Sequence, residues 1–375
     1  MRLTLEGDRS LSISRKNDHL DIVLSGRGAS SVSAGFDRFV FEHVALPEID
    51  MDEIEVGTRF LGKHISAPLL VSSMTGGPER AELINANLAT ACEELKIAFA
   101  VGSQRVAIEA HGDAGLSRHL RELAPSIPLL ANFGAAQLNL GFGQDQAARA
   151  VEMVGADALI IHLNPLQEAV QPEGDRNWRG LLHAIEQLAR RIRVPLVVKE
   201  VGCGISGRLA RRLVDAGVSV IDVAGAGGTS WAAVEAERAS SPLQADVARA
   251  FIGWGQPTAE AIAEVRDACP EAFIIGSGGI RDGVDAAKAM RLGADLVGQA
   301  ASTLDAATVS ADAVADHFRV MIMQLKVTCF CTGSSDLVSL QASRLRRLDT
   351  AGSYASDVPV RRRSAPATRP SPISR

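Results

Sequence analysis

Tyrosine occurs once in this chain, and phenylalanine, tyrosine and tryptophan together make up 4% of its 375 residues. A core so poor in rings must be filled by Ala, Val, Leu and Ile, the usual filling of parallel strands buried on both faces. Cysteine is also scarce: Cys92, Cys203, Cys269, Cys329 and Cys331 stand at irregular spacing. An odd, irregular set does not read as a disulfide framework. Cys329 and Cys331 form a C-x-C pair, but no further ligands follow at metal-site spacing, so buried free thiols are expected. Cations are not in excess either: 39 Lys+Arg stand against 44 Asp+Glu, a net charge of −5. That argues against a nucleic-acid partner, whose phosphates call for a basic face. No apolar run reaches the roughly 18 residues of a membrane span. The start, MRLTLEGDRS, lacks the apolar stretch of a secretory signal. The expected location is the cytoplasm, with no membrane partner.

What is present is a regular alternation. Hydrophobic residues make up 46% and charged residues 22%, a globular composition. From residue 67, short apolar runs alternate with helical stretches. The runs are PLLVSSM (68–74), AFAVGS (98–103), PLLANF (128–133), DALIIHLN (157–164), PLVVKEVG (195–202), VSVIDVAG (218–225), FIIGSGG (273–279) and DLVGQA (295–300). Continuous apolar runs of this length predict strands buried on both faces. Helices are predicted over 79–95, 144–154, 179–192, 206–216, 258–268 and 282–292. Gly155-Ala156-Asp157, Gly217-Val218 and Gly293-Ala294-Asp295 each end a helix at glycine before the next strand. Eight βα repeats predict an α/β fold, a closed (β/α)8 TIM barrel.

The barrel is expected over 67–335. Residues 1–66 are read as an N-terminal extension packing on it. Residues 336–375 form a C-terminal segment, largely disordered from about 357, where Arg, Pro and Ser dominate. Residues 226–257 make an overlong connection after the sixth strand, and such loops are usually functional.

In this fold chemistry sits at the C-terminal ends of the strands. Those ends carry Ser72-Ser73-Met74-Thr75, Ser103-Gln104-Arg105, Asn132, His162-Leu163-Asn164, Lys199-Glu200, Gly227-Gly228-Thr229, Gly276-Ser277-Gly278-Gly279-Ile280-Arg281 and Gly298-Gln299-Ala300. A purely structural barrel has no need of them. Glycines after strand seven, with Arg281 and the small residues Ala300 and Ala301 opposite, predict a phosphate site. Lys199 needs an anionic or electron-rich partner, and the N1–C2=O edge of a flavin is one. Ser73, Thr75, Ser103 and Asn132 would hydrogen-bond the rest of its ring, and Thr229 the phosphate or ribityl chain. His162 ends the fourth strand; Asn164, Gln167 and Glu168 follow in a Pro-stiffened loop, where Glu168 could bind a hard cation such as Mg²⁺. Arg15, Lys16 and His19 suit a second anion.

The runs RKNDHL (15–20), SMTGG (73–77), GSQR (102–105), HLNPLQE (162–168), VKEVG (198–202), GGTSW (227–231) and GSGGIR (276–281) resemble type 2 isopentenyl-diphosphate isomerases. The resemblance runs from about residue 14 to the CTG at 331–333. It implies reduced FMN and Mg²⁺ as cofactors, with NADPH as reductant, and conversion of isopentenyl to dimethylallyl diphosphate. Catalytic roles fall on His162 and Gln167. Substrate contacts fall on Arg15, Lys16, His19, Ser103, Gln104, Arg105, Asn164, Gln167 and Trp231. The FMN shell is Ser73, Met74, Thr75, Ser103, Asn132, Lys199, Thr229, Gly279, Ile280, Arg281, Ala300 and Ala301, with Glu168 on the metal. Gln299-Ala300-Ala301-Ser302 departs from the pattern and leaves the backbone contacts to the phosphate open. A homo-oligomer, tetramer or octamer, is expected. Two other readings stand beside this one: an FMN-dependent oxidase or dehydrogenase of a small hydroxy acid, disfavoured because no histidine accompanies Arg281, and a non-catalytic flavin-binding protein.

Overall fold

The computed structural model describes residues 17–73, 79–109, 115–349 and 352–364. Eight parallel strands close into a barrel. They are β1 (Leu69–Val71), β2 (Ala98–Ala100), β3 (Leu129–Gly134), β4 (Ala158–Leu163), β5 (Leu196–Glu200), β6 (Val220–Asp222), β7 (Phe273–Ser277) and β8 (Leu296–Gln299). The circle shuts where Val297 of β8 pairs with Leu69 of β1. Each expected strand is present. All but β3 are shorter than their apolar runs, whose last residues turn outward to form the mouth.

The helices expected over 79–95, 144–154 and 258–268 form as Glu79–Leu95, Gln144–Val154 and Thr258–Ala268. The repeated Gly-Ala-Asp has a physical reason. Gly155 (φ 63°) and Gly293 (φ 125°) take left-handed conformations that stop their helices. The aspartate two residues on then ties the barrel floor. Asp157 Oδ2 accepts from the Leu129 N–H at 2.9 Å and from Arg121 Nη2 at 2.7 Å. Asp295 Oδ2 accepts from the Ile274 N–H at 2.9 Å and from Arg266 Nη2 at 2.6 Å.

A hairpin of Thr58–Phe60 and Lys63–Ile65 closes that floor. Leu61 (φ 49°) and Gly62 (φ 78°) make its two-residue turn, as a primed turn requires. Phe60 enters the barrel and stacks on Phe273 with ring centroids 4.9 Å apart. Above it Leu70, Leu130, Ile160, Val197, Val220, Ile275 and Leu296 fill the interior. At the other end, a helix over 17–24 reaches the mouth.

Three features depart from the sequence expectations. The connection over 226–257 carries two helices, Trp231–Arg238 and Pro242–Arg249, capped by Ser230 and Ser241. A 21-residue helix, Ala311–Cys331, packs on Glu79–Leu95 and Gly283–Leu292. The C-terminal segment, expected to be largely disordered from about 357, has partners as far as Ser364. Tyr354–Asp357 pairs with Leu345–Leu348, which pairs with Phe39–Phe41. Buried Arg291 then donates to the carbonyls of Val358 and Pro359, at 2.8 and 3.0 Å. All five cysteines are free; Cys203 and Cys331 are only half-buried.

Candidate active site

Side chains alternate in and out along a strand, so the residues two beyond the interior layer point into the barrel again. They are Ser72, Asn132, His162, Lys199, Asp222, Ser277 and Gly298, a polar layer capping an apolar one. Over this layer opens a cavity of about 600 Å³. Its lining includes His19, Ser73, Ser103, Arg105, Asn132, His162, Asn164, Gln167, Glu168, Lys199, Thr229, Trp231, Gly279, Ile280, Arg281, Ala300 and Ala301. Most residues singled out from the sequence are thus brought to one place.

Not all are. Gln104, expected to touch substrate, is fully buried away from the cavity. Its Nε2 donates to the Ala150 carbonyl at 2.8 Å, and its Oε1 accepts from the Asn132 N–H at 2.9 Å. It is a tie between β3 and the helix Gln144–Val154, since β2 ends at Ala100 and the chain turns before Arg105, which breaks the alternation and leaves Ser103 on the cavity with Gln104 behind it. Arg15, Lys16, Met74 and Thr75 lie outside the described residues. The expected Pro-stiffened loop at 165–168 is a helix, Pro165–Val170, because proline suits the first helical position.

The electrostatics follow from burial and neighbours. Asn132 donates to the Val101 carbonyl at 3.3 Å, which turns its Oδ1 toward His162 Nδ1 at 2.8 Å. Burial, then the charges of Lys199 and Arg105, push the His162 pKa down to about 3. The ring is neutral, Nδ1–H is the donor, and Nε2 keeps a free lone pair. Lys199 Nζ donates to the Glu200 carbonyl at 2.6 Å, which aims the ammonium along the mouth. The Glu200 side chain points the other way. There it accepts from the Val201 and Gly202 N–H groups at 2.7 Å and from Cys203. Burial nonetheless pushes its pKa up to about 7.

On one wall the backbone is bare. Gly227 (φ 123°), Gly278 (φ 102°) and Gly279 (φ 66°) are left-handed. A Cβ at Gly278 would collide with the Gly225 carbonyl, and one at Gly279 with that of Gly227. This cradle fits the phosphate of FMN, and Lys199 and Asn132 fit its ring. The Ser73 hydroxyl is buried without a partner, a polar atom waiting for a ligand. Arg281 is held by Asp285 at 2.8 Å beside the cradle.

On the opposite wall, Asn164 Nδ2 donates to Gln167 at 3.1 Å and to Glu168 Oε1 at 2.9 Å. Glu168 Oε2 accepts from Gln171 and from the Asp175 N–H, both at 2.7 Å. The hub of this wall, Glu235, was not legible in the sequence. Its Oε1 meets Gln167 Nε2 and His19 Nε2, each at 3.0 Å, and its Oε2 takes Arg238 at 2.7 Å. Burial raises its pKa, but His19, Gln167 and Arg238 outweigh that and hold it ionised. Trp231 packs edge-on to His19. The signal that could have found Glu235 is its place, one helical turn after Trp231.

The FMN-dependent dehydrogenase family matches residues 147–347. Solved structures share the fold. A flavocytochrome b2 with sulfite bound superposes with a TM-score of 0.63 at 18% identity, over 86% of this chain and 81% of that one. A mandelate oxidase does so with 0.60 at 17%, over 88% and 95%. Much nearer in sequence is an isopentenyl-diphosphate delta-isomerase of Stutzerimonas stutzeri, 63% identical over 90% of this chain and 97% of the relative. The Pseudescherichia vulneris isomerase is 59% identical over 92% and 98%. On fold, cradle and sequence together, the chain belongs to the isopentenyl-diphosphate delta-isomerase family.

Proposed function

We propose that this chain converts isopentenyl diphosphate to dimethylallyl diphosphate at the barrel mouth, with FMN in the glycine cradle and over Lys199. The observation that carries this reading is the two-walled cavity. A cradle for one phosphate faces an amide and carboxylate cluster suited to a second, metal-bound anion. The hydroxy-acid oxidase reading is disfavoured, since the oxidases and flavocytochrome b2 share the fold alone, at 16–19% identity.

The reaction moves a proton across an unactivated allylic system. Bound and reduced, FMN supplies an acid/base centre and an electron-rich face for developing positive charge. The chain's own residues position and shield. Lys199 balances negative charge at the flavin's N1–C2=O edge. Ser73, Met74, Thr75, Ser103, Asn132, Thr229, Gly279, Ile280, Arg281, Ala300 and Ala301 complete the cofactor shell. His162 and Gln167 orient the alkene, and the neutral His162 adds no positive charge of its own beside it. Arg15, Lys16, His19, Ser103, Arg105, Asn164 and Trp231 hold the substrate. Glu168 binds Mg²⁺. Mg²⁺ held there would take its remaining oxygen ligands from substrate phosphates and water. NADPH is the reductant, and a cytoplasmic homo-oligomer the working form.

The test is an anaerobic assay with FMN, NADPH, Mg²⁺ and isopentenyl diphosphate. Dimethylallyl diphosphate is the expected product, and its absence would sink the reading. Glu168→Gln should lose Mg²⁺-dependent turnover while FMN still binds; full activity would rule out the metal role.

A further inference from the structure

The polar layer beneath the cavity holds one ionisable group that the reaction above does not use. Asp222 of β6 is the register partner of Lys199 of β5, so the two side chains leave neighbouring strands on the same, inward face. Asp222 is 1% exposed and Lys199 6%. Ser277 Oγ, from β7 on the other side, donates to Asp222 Oδ1 at 2.5 Å. Asp222 Oδ2 is buried with no hydrogen-bond partner. A carboxylate sealed from water with an idle oxygen is costly unless an opposite charge stands near. His162 is held neutral, which leaves Lys199 as the compensating cation of the layer. Asp222 lies below the cavity lining and cannot touch substrate.

We propose that Asp222 is a positioning residue that acts through Lys199. Its carboxylate is the built-in counter-charge of the ammonium, and it limits how strongly the cavity favours the reduced, electron-rich form of its flavin. The inference rests on FMN occupying the cavity. Burial pushes the Asp222 pKa up, while Lys199, Ser277 and the Ala224 N–H pull it back.

The test reads cofactor properties, not turnover. The wild-type apoprotein is titrated with oxidised FMN by fluorescence, and the loaded protein's reduction potential is measured anaerobically against reference dyes. Asp222→Asn keeps the acceptor for Ser277 and removes the negative charge. It should favour reduced over oxidised FMN by roughly tenfold more than wild type, an upward shift of ~30 mV for a two-electron couple. In a Lys199→Met background the same substitution should produce no further shift. An unchanged potential in Asp222→Asn, or a shift that persists without Lys199, overturns the proposal. Should Asp222→Asn not fold, thermal unfolding of the double variant reads the same coupling. Greater stability in the double variant than in the single one supports a charge pair, and equal or lower stability overturns it. Wild-type protein that takes up no FMN would instead remove the cofactor assignment, and this inference with it.

Discussion

Replacing His162 by Asn would remove a titration as well as a ring. The folded protein holds the His162 pKa near 3, against 6.5 for a free imidazole. Between those values the unfolded chain takes up a proton that the folded site refuses. Folding stability therefore falls as pH drops through that window. His162→Asn lacks this proton, so its melting temperature should decline less than that of wild type between about pH 7 and about pH 4. Equal declines would mean that the imidazole is not held neutral. Glu200 contributes with the opposite sign but is present in both proteins and cancels in the comparison. At this scale the sequence exposed His162, Asn164, Gln167 and Glu168, because they stand together in one short run at a strand end. It did not expose Glu235 or Asp222. Their partners lie far away in the chain: His19 is 216 residues from Glu235, and Ser277 is 55 from Asp222. Only folding makes either group a member of a site.

Among elements, the strands were the most legible, since a segment buried on both faces has little choice but to be apolar throughout. The helices inside 226–257 were hidden by small residues with no clear stripe, although Ser230 and Ser241 each stand where a helix begins. Ala311–Cys331 follows the eighth strand, where no βα repeat signals it. Gln104 tests the boundary between site and scaffold. Gln104→Ala would strand the Asn132 N–H and the Ala150 carbonyl inside the protein. A loss of about 2–3 kcal/mol is expected, measured by urea unfolding, with the KM for isopentenyl diphosphate unchanged. A raised KM without loss of stability would return Gln104 to the substrate.

For the molecule as a whole, segments from before and after the barrel are joined in one sheet, Phe39–Phe41 beside Leu345–Leu348 beside Tyr354–Asp357. Arg291 holds that sheet down through the carbonyls of Ser343, Val358 and Pro359. Arg291→Met removes three hydrogen bonds, the one to Val358 fully buried, and should cost ~2–3 kcal/mol. Early proteolysis should then fall after the helix Leu337–Ala342, with FMN affinity intact. Resistance equal to wild type would show that the segment is held by other contacts. This arrangement was not readable from the sequence, because it depends on partners from opposite ends of the chain.

The plug formed by Phe60 and Phe273 has a kinetic corollary. A barrel stoppered at its floor is a cul-de-sac, so whatever enters must back out by the same door. Isopentenyl diphosphate and dimethylallyl diphosphate then queue for one opening. The product should inhibit competitively against the substrate.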